Sequence, residues 1–582
     1  MKRNPPRGLY APELLESRIA PATFIVTTLA DAGAGSLRDA VGLANAAASA
    51  DTIVFKGAAL AGGEISLSTG QIDITDSLII KGPGAGKLSI DANGASRIFN
   101  ITDGTATVKS VSIIGLSILH GNSGALAGGG IESREALTLT GVVVAGCETT
   151  DKGGGVHAET AGKVIIKSSI ISGNAAGTYG GGLYLEANAG IQLIATTVSS
   201  NGAGINNGGL YLHIEDAGTG DILIDKSTIT RNTTPGSGGG AGIDQDREVG
   251  GLNVGKVIIR NTVISGNSAG NEGGGLYFDD GLVTIDHSTI TGNVATTRGG
   301  GVSADSPQSL LIKNSTITGN RTTGAGSDGG GGVYLEGIAA VTIQGSAIAG
   351  NVSASHGGGI LSVGTGLTLK STKVTGNIAL AGSGGGVSAR DGGFFTADAS
   401  AFTYNAAALY GGGLAAGGAG ASKVDVIVKN SRFTANRANN GGGMETHGDG
   451  TVNISGSKFF QNTAGEDGGG MYLRSSAAIS IGSSLIAGNT AEFGGGIELG
   501  GSGAKEIKAT TIRDNIAIEN GGGVEMRNGT LTFKTSKIMG NIAGGEGGGI
   551  FNSIAAPVVL NGSKVTGNVA PNDPQISGNS TP

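Results

Sequence analysis

The sequence predicts an all-β solenoid, a parallel β-helix whose coils stack on one another. Three observations carry that expectation. Glycine supplies 114 of 582 residues while tryptophan is absent and aromatics make up only 4%, which does not describe one large globular core. A phrase such as SGNSAGNEGGGLYFDD (Ser265 to Asp280) recurs along most of the chain. Within each recurrence, apolar and polar residues alternate over runs too short for a helix. The glycine has no Gly-X-Y period and only 11 prolines accompany it, so collagen and Pro-rich disorder are excluded.

The repeat fixes the coil. Anchored on its asparagine, the phrase runs from Asn122 to Asn568, with Cys147 filling one slot; the span of 446 residues holds 16 intervals, about 28 residues each. VTIDHSTITGN (Val283 to Asn293) and VTIQGSAIAGN (Val341 to Asn351) align without gaps. Each reads as a strand, a two-residue corner and a second strand, and a GGG-plus-apolar run opens a third. The leucine-rich pattern and the longer propeller blade do not match. About 17 coils of a single-stranded helix follow, a rod on the order of 80 Å long at one strand spacing per coil. Asn174, Asn201, Asn267, Asn293, Asn320, Asn351 and Asn377 then stack as an amide ladder at one corner. The triple glycines supply positive φ and close backbone approach at the next.

The ends differ from the middle. Gly35 to Ala48 is the best helix: Ser36 and Asp39 make a capping box, and Leu37, Val41 and Leu43 or Ala44 share a face that would cover the first coil. At the other end Pro571 and Pro574 blunt an exposed edge. The expected organisation is a tail or targeting-like segment at 1–22, a cap with irregular first coils at 23–100, repeats at 101–570 and a tail at 571–582.

Composition limits function. A formal charge of −7 and a pI near 5.5, without a basic run, argue against nucleic acid as a partner. The lone Cys147 excludes an intrachain disulfide framework and a cysteine zinc cluster. No apolar run reaches the roughly 18 residues of a membrane span, and the N-terminus lacks the apolar core of a standard signal peptide. The glycine runs lack the Lys-Ser/Thr of a phosphate loop, and the calcium nonapeptide pattern is not met. The six histidines lack ligand spacing. No cofactor is expected, and no motif shows calcium. Oligomeric state stays open.

Alternation of GGG-[ILVM] with [FIV]-x-x-N, including Phe402 to Asn405, Phe433 to Asn436 and Phe459 to Asn462, resembles the polymorphic outer membrane protein repeat over roughly residues 115 to 570. Phe24 to Phe55, with GSLRDAV inside it, resembles the CSLREA-type segment that precedes such repeats in bacterial surface proteins. The resemblance implies a right-handed, pectate-lyase-like β-helix displayed outside the cell, in some members as an adhesin. The chain departs from that group in showing no C-terminal run of strands for a translocating barrel.

A candidate face follows from the GGG register. Counting from the apolar residue after each GGG, position +1 reads His157, Tyr184, Tyr211, Asp244, Tyr277, Ser303 and Tyr334. Position +3 reads Glu159, Glu186, His213, Asp246, Asp279, Asp305 and Glu336. Farther on, +3 becomes Arg390, His447, Arg474 and Arg527. Tyrosine platforms beside carboxylates suit a polysaccharide or cell-surface partner, and stacked carboxylates favour raised pKa values or a recruited cation. This predicts a noncatalytic surface or extracellular protein for adhesion or matrix contact. The alternative is a polysaccharide hydrolase or lyase using Asp244, Asp246, Asp279 and Asp280, with His213 as base.

Overall fold

The computed structural model describes residues 21–582 except 48, 58–61, 216–218, 246–254, 327 and 418–422. One coil shows the whole plan. After Gly180–Gly182 come the strands Leu183–Ala187, Ile191–Ile194 and Thr197–Ser199, then Asn201, then a two-residue strand at Gly202–Ala203. Every such strand pairs in parallel with its equivalent in the next coil, as Leu183 with Leu210 and Ile191 with Ile222. These four strand positions build sheets 1 to 4 in that order, with 19, 21, 19 and 15 strands. The sequence expects three strands per coil and about 17 coils. The fourth strand is too short to carry an alternation signal, and winding begins at Thr23–Val26, ahead of the Asn repeat, giving about 20 coils.

The interior is one continuous column of side chains from Val26 to Val558. In the coil above, Leu183, Leu185, Ile191, Leu193 and Val198 point inward and are buried. Their period-2 spacing puts alternate residues on the inner face of each strand. The three Phe-x-x-N phenylalanines stack inside it, Phe402 on Phe433 at 4.4 Å and Phe433 on Phe459 at 4.7 Å between centroids.

The asparagine corner is a ladder. The Asn174 side-chain amide donates to Asn201 Oδ1 (3.0 Å) and to the Val144 carbonyl (3.1 Å), and its backbone N–H donates to the same Oδ1 (3.0 Å). The pattern runs unbroken to Asn568 through Asn267, Asn293, Asn320, Asn351 and Asn377. It satisfies backbone donors that would otherwise be buried without partners. Asn122 is not a rung: Gly121 holds that place and donates to Cys147 Sγ (3.3 Å), while Asn122 bonds Glu148 outside. At the C-terminal end the Gln575 side chain closes the ladder, accepting from Asn568 Nδ2 (2.9 Å) and donating to the Asn568 carbonyl (3.2 Å).

A second ladder lies between sheets 2 and 3. The Ser288 N–H donates to Ser315 Oγ (3.1 Å), and the Ser288 hydroxyl donates to the Asp286 carbonyl (2.9 Å). Ser or Thr repeats that role in coils from Ser169 to Ser536. At the glycine corner, a Cβ on Gly155 would lie 2.6 Å from the Gly182 oxygen, and one on Gly182 2.7 Å from the Gly209 oxygen. Any side chain there would force the coils apart.

Helix α1 spans Leu37–Ala46 and covers the first coil. Ser36 accepts from the Asp39 N–H (3.1 Å) while Asp39 accepts from the N–H of Gly35 (3.0 Å), one residue ahead of the cap, a variant of the capping box in which the Ser36 N–H goes to the Gly33 carbonyl (3.1 Å). Leu37, Ala40, Val41 and Ala44 are buried, and Leu43 faces out. No described helix is long and apolar enough to cross a membrane.

Candidate functional site

The +1 and +3 residues all stand on the outer side of sheet 1, but one coil changes register. Tyr211 pairs with Gly242, Leu212 with Ile243 and His213 with Asp244. Ala241 therefore takes the inward position that the sequence reading gave to Ile243, and Asp244 belongs to the +3 column. Asp246 lies outside the described residues. The corrected +1 column reads His157, Tyr184, Tyr211, Gly242, Tyr277, Ser303 and Tyr334. The +3 column reads Glu159, Glu186, His213, Asp244, Asp279, Asp305 and Glu336.

This outer side is not an open stripe. Loops that precede each GGG fold back and lay side chains over it, so Tyr334 is only 1% exposed and His157 and Tyr184 are buried. The coverings have a consistent chemistry. Lys152 Nζ sits 4.6 Å from the Tyr184 ring centre, and the Arg298 guanidinium 4.8 Å from that of Tyr334. A cation over each ring face is attracted by the ring quadrupole. Arg298 also meets the acidic column, reaching Glu336 (3.0 Å), whose carboxylate accepts from the Tyr334 hydroxyl (2.6 Å), whereas Lys152 donates to the Tyr184 hydroxyl (3.3 Å).

A cleft of about 350 Å³ opens in this wall at the Gly242 coil, between Tyr211 and Tyr277. The Tyr184 and Tyr211 rings lie 4.9 Å apart on the coil spacing, tilted by 36°; Gly242 then interrupts the column. The Asn207 side-chain oxygen occupies the space that a Cβ on Gly242 would need. Asn206, Asn207 and Ser237 form the wall here with Lys152 and Tyr179, and Asp244 and Asp279 the acidic side. The Tyr211 hydroxyl donates to Asp244 (3.4 Å).

The acids in the column titrate differently. Burial, then the carboxylates of Asp244, Asp280, Asp305 and Glu272, push Asp279 up to about 6. Burial also raises Glu272, against the hydrogen bond it accepts from Ser303 (3.0 Å). By contrast the hydrogen bond from His213 draws Glu186 down to about 2, with the two groups 3.5 Å apart. His213 thus serves Glu186 and is only 13% exposed. Among the described residues, no three His, Cys, Asp or Glu side chains converge to hold a metal ion.

Beyond Glu336 the column changes character. The +1 position becomes Glu445, Tyr472, Glu498 and Glu525, all buried. Arg474 and Arg527 at +3 bend back over them: Arg474 reaches Glu445 (3.3 Å), and Arg527 Nε donates to Glu525 (2.8 Å) and reaches Asp467 through NH2 (3.2 Å). That Nε is 2.9 Å from Glu498 Oε1 but its N–H is aimed at Glu525, so both Glu498 oxygens lack a donor. Burial, then the neighbouring Asp467 carboxyl, push Glu498 up to about 10. A second cleft of about 330 Å³ sits where Ser388 and Ala415 leave the +1 column small; His356, Arg390, Glu445 and His447 line it. The buried +1 glutamates and the loop wall were missed from sequence, because they depend on which loop lies over which coil.

Cys147, in the asparagine column, is buried, and burial raises its thiol to about 12. It packs as an apolar rung and is no nucleophile at neutral pH.

No curated protein matches the sequence. Residues 86–302 and 252–425, together more than half of the chain, match the family described as right handed beta helix region. The stacked parallel sheets and this match agree, and the chain belongs to the right-handed β-helix family.

Proposed function

We propose that the protein is a noncatalytic carbohydrate-binding β-helix, at the cell surface or outside the cell, which holds an extended polysaccharide along the walled face of sheet 1. The observation that carries the reading is the cleft at Gly242, where Tyr211 and Tyr277 face one another across a missing side chain and Asp244, Asp279, Asn206 and Asn207 supply acceptors. Its volume is that of a small ligand site. Aromatic faces take the apolar side of a sugar ring, and carboxylate and amide oxygens accept its hydroxyl protons. The placement outside the cell, and a role in adhesion, are supported by the resemblance to the polymorphic outer membrane protein repeat alone.

The test is binding of the whole chain to a glycan array, followed by calorimetry with soluble oligosaccharides. A Tyr211→Ala/Tyr277→Ala variant with unchanged circular dichroism should bind at least tenfold more weakly. Unchanged affinity would remove the cleft as the site.

One observation favours a second reading, a glycan-cleaving enzyme: Asp279, raised to about 6, is a carboxyl suited to general-acid work, and the Asp244 carboxylate stands near it. Release of reducing ends from a polysaccharide panel, abolished by Asp279→Asn, would establish it; no release from any member rejects it.

A further inference from the structure

We infer that the outer edge between sheets 2 and 3, over the coils from Lys370 to Lys564, is a binding ridge for a sulfated polysaccharide. This goes beyond the sheet 1 reading and concerns a separate surface. Around the coil it is divided from sheet 1 by the whole of sheet 2 on one side and by sheets 3 and 4 on the other.

The sequence holds no basic run here; coiling assembles the ridge. Two columns flank the corner that carries the Ser/Thr ladder. The last residue of successive sheet 2 strands supplies Lys370, Lys429, Lys508 and Lys534. The first residue of successive sheet 3 strands supplies Lys373, Arg432, Lys458, Lys537 and Lys564. Lys534 is half-buried and meets Glu506 at 2.7 Å, while the other eight cations are exposed. The single carboxylate within either column is Asp398.

The same columns upstream are written differently. From Ile170 to Ala347 the first residues of the sheet 3 strands carry no charge. At the sheet 2 end, Arg260 meets Asp225 at 3.0 Å and Lys313 meets Asp286 at 3.3 Å. The whole chain is acidic, at −7, so the ridge is a local segregation of charge and not a reflection of composition. Arg432 stands directly beside Lys458, Lys508 beside Lys534 and Lys537 beside Lys564. Like charges one strand spacing apart repel, and a bound polyanion removes that repulsion while its counterions are released.

Shape and chemistry narrow the partner. The columns run about 34 Å, seven coil steps at roughly 4.8 Å, and Lys370 and Lys373 stand only three positions apart around the corner. The charge forms a line and not a plane, which suits an extended polymer better than a bilayer. Lysine predominates, and its ammonium is a point charge that reads charge density, where arginine brings bidentate geometry. More than one cation per coil asks for a glycan with several anionic groups per repeat. Neither column holds an aromatic ring on which single-stranded bases would stack. A straight line along a duplex crosses grooves about 12 and 6 Å wide, away from the phosphates.

The experiment is calorimetry of the whole chain with heparin and with its fully desulfated counterpart, at about 0.05 and 0.2 M salt. Heparin should bind about tenfold tighter than the desulfated chain and should lose about tenfold in affinity between the two salt concentrations. Lys373→Ser/Lys458→Ser/Lys537→Ser, with unchanged circular dichroism, should weaken heparin about tenfold. Lys81→Ser/Lys87→Ser/Lys256→Ser removes the same charge from exposed positions elsewhere and should leave heparin binding intact, as should Tyr211→Ala/Tyr277→Ala. Equal losses in the two lysine variants would mean bulk attraction, and a loss in the tyrosine variant would move the site to sheet 1; either overturns the inference. Tighter binding of phosphatidylglycerol vesicles or of an oligonucleotide than of heparin overturns the polysaccharide as partner. Binding of no probe overturns the ridge as a site, while the sheet 1 reading stands or falls by its own test.

Discussion

The two halves of the sheet 1 face are written in the same repeat and end as opposites. Over Tyr184 to Glu336 the rings occupy +1 and the acids +3, and where Gly242 drops out a cleft opens between them. Over Glu445 to Arg527 the order is reversed: glutamates sit at +1 beneath the wall, and arginines at +3 fold over them. One exchange of columns converts an accessible acidic surface into buried struts. Charge in a solenoid is therefore decided less by composition than by which side of the strand's second residue it falls on.

Beneath both halves runs one asparagine ladder, so its rungs provide the common reference. Asn320→Leu and Asn462→Leu each strip four buried side-chain hydrogen bonds. Each should cost about 3–5 kcal/mol in denaturant unfolding, the same in either half. Unequal losses would show that the outer columns reach into the core. Next, Arg527→Ala leaves Glu525 and Asp467 without their cation. A loss of about 2–4 kcal/mol is expected, below the fully buried limit because Arg527 is 37% exposed. Hydrogen exchange should localise the loosening to the Glu498 and Glu525 coils.

A smaller effect has the opposite sign. The Glu498 carboxyl titrates at about 10 when folded against 4.5 ordinarily, so folding carries a penalty absent below pH 4.5 that grows as pH rises toward 10. Glu498→Gln should stabilise by about 1–3 kcal/mol at pH 8 and by nothing near pH 4. The smallest belongs to the open half. Asp279, at about 6 against 3.8, gives a penalty that develops only between those values. Asp279→Asn should gain less than about 1 kcal/mol at pH 7 after allowance for solvent screening, and nothing at pH 3.5. A larger gain from Asp279→Asn than from Glu498→Gln would contradict the contrast between open and closed halves.

What could be read from sequence follows from how each feature is encoded. The coil, the rungs at Asn174 to Asn377 and the Ser36–Asp39 box depend on residues near one another or repeated at fixed intervals. The Ser/Thr ladder was equally legible, since each member stands five residues before its asparagine, as Ser288 before Asn293 and Thr372 before Asn377. It was overlooked because serine and threonine also fill the solvent-facing positions. The same offset shows why both ladders start together: the preceding coil places Val142 and Cys147 in the two slots. The shift at Ala241 misled because Gly242 and Ile243 imitate the glycine-plus-apolar phrase two residues late. The wall over sheet 1 had no local signature.

The fold-back of Gln575 onto Asn568 has a consequence for the rod as a polymerisable object. A bare terminal rung would present an amide donor and a carbonyl in register for any further coil, from this chain or another, to dock upon. With both groups already engaged by a side chain seven positions along, an incoming coil must first evict that plug. The seam that makes the interior self-templating is thus finished off at its last rung.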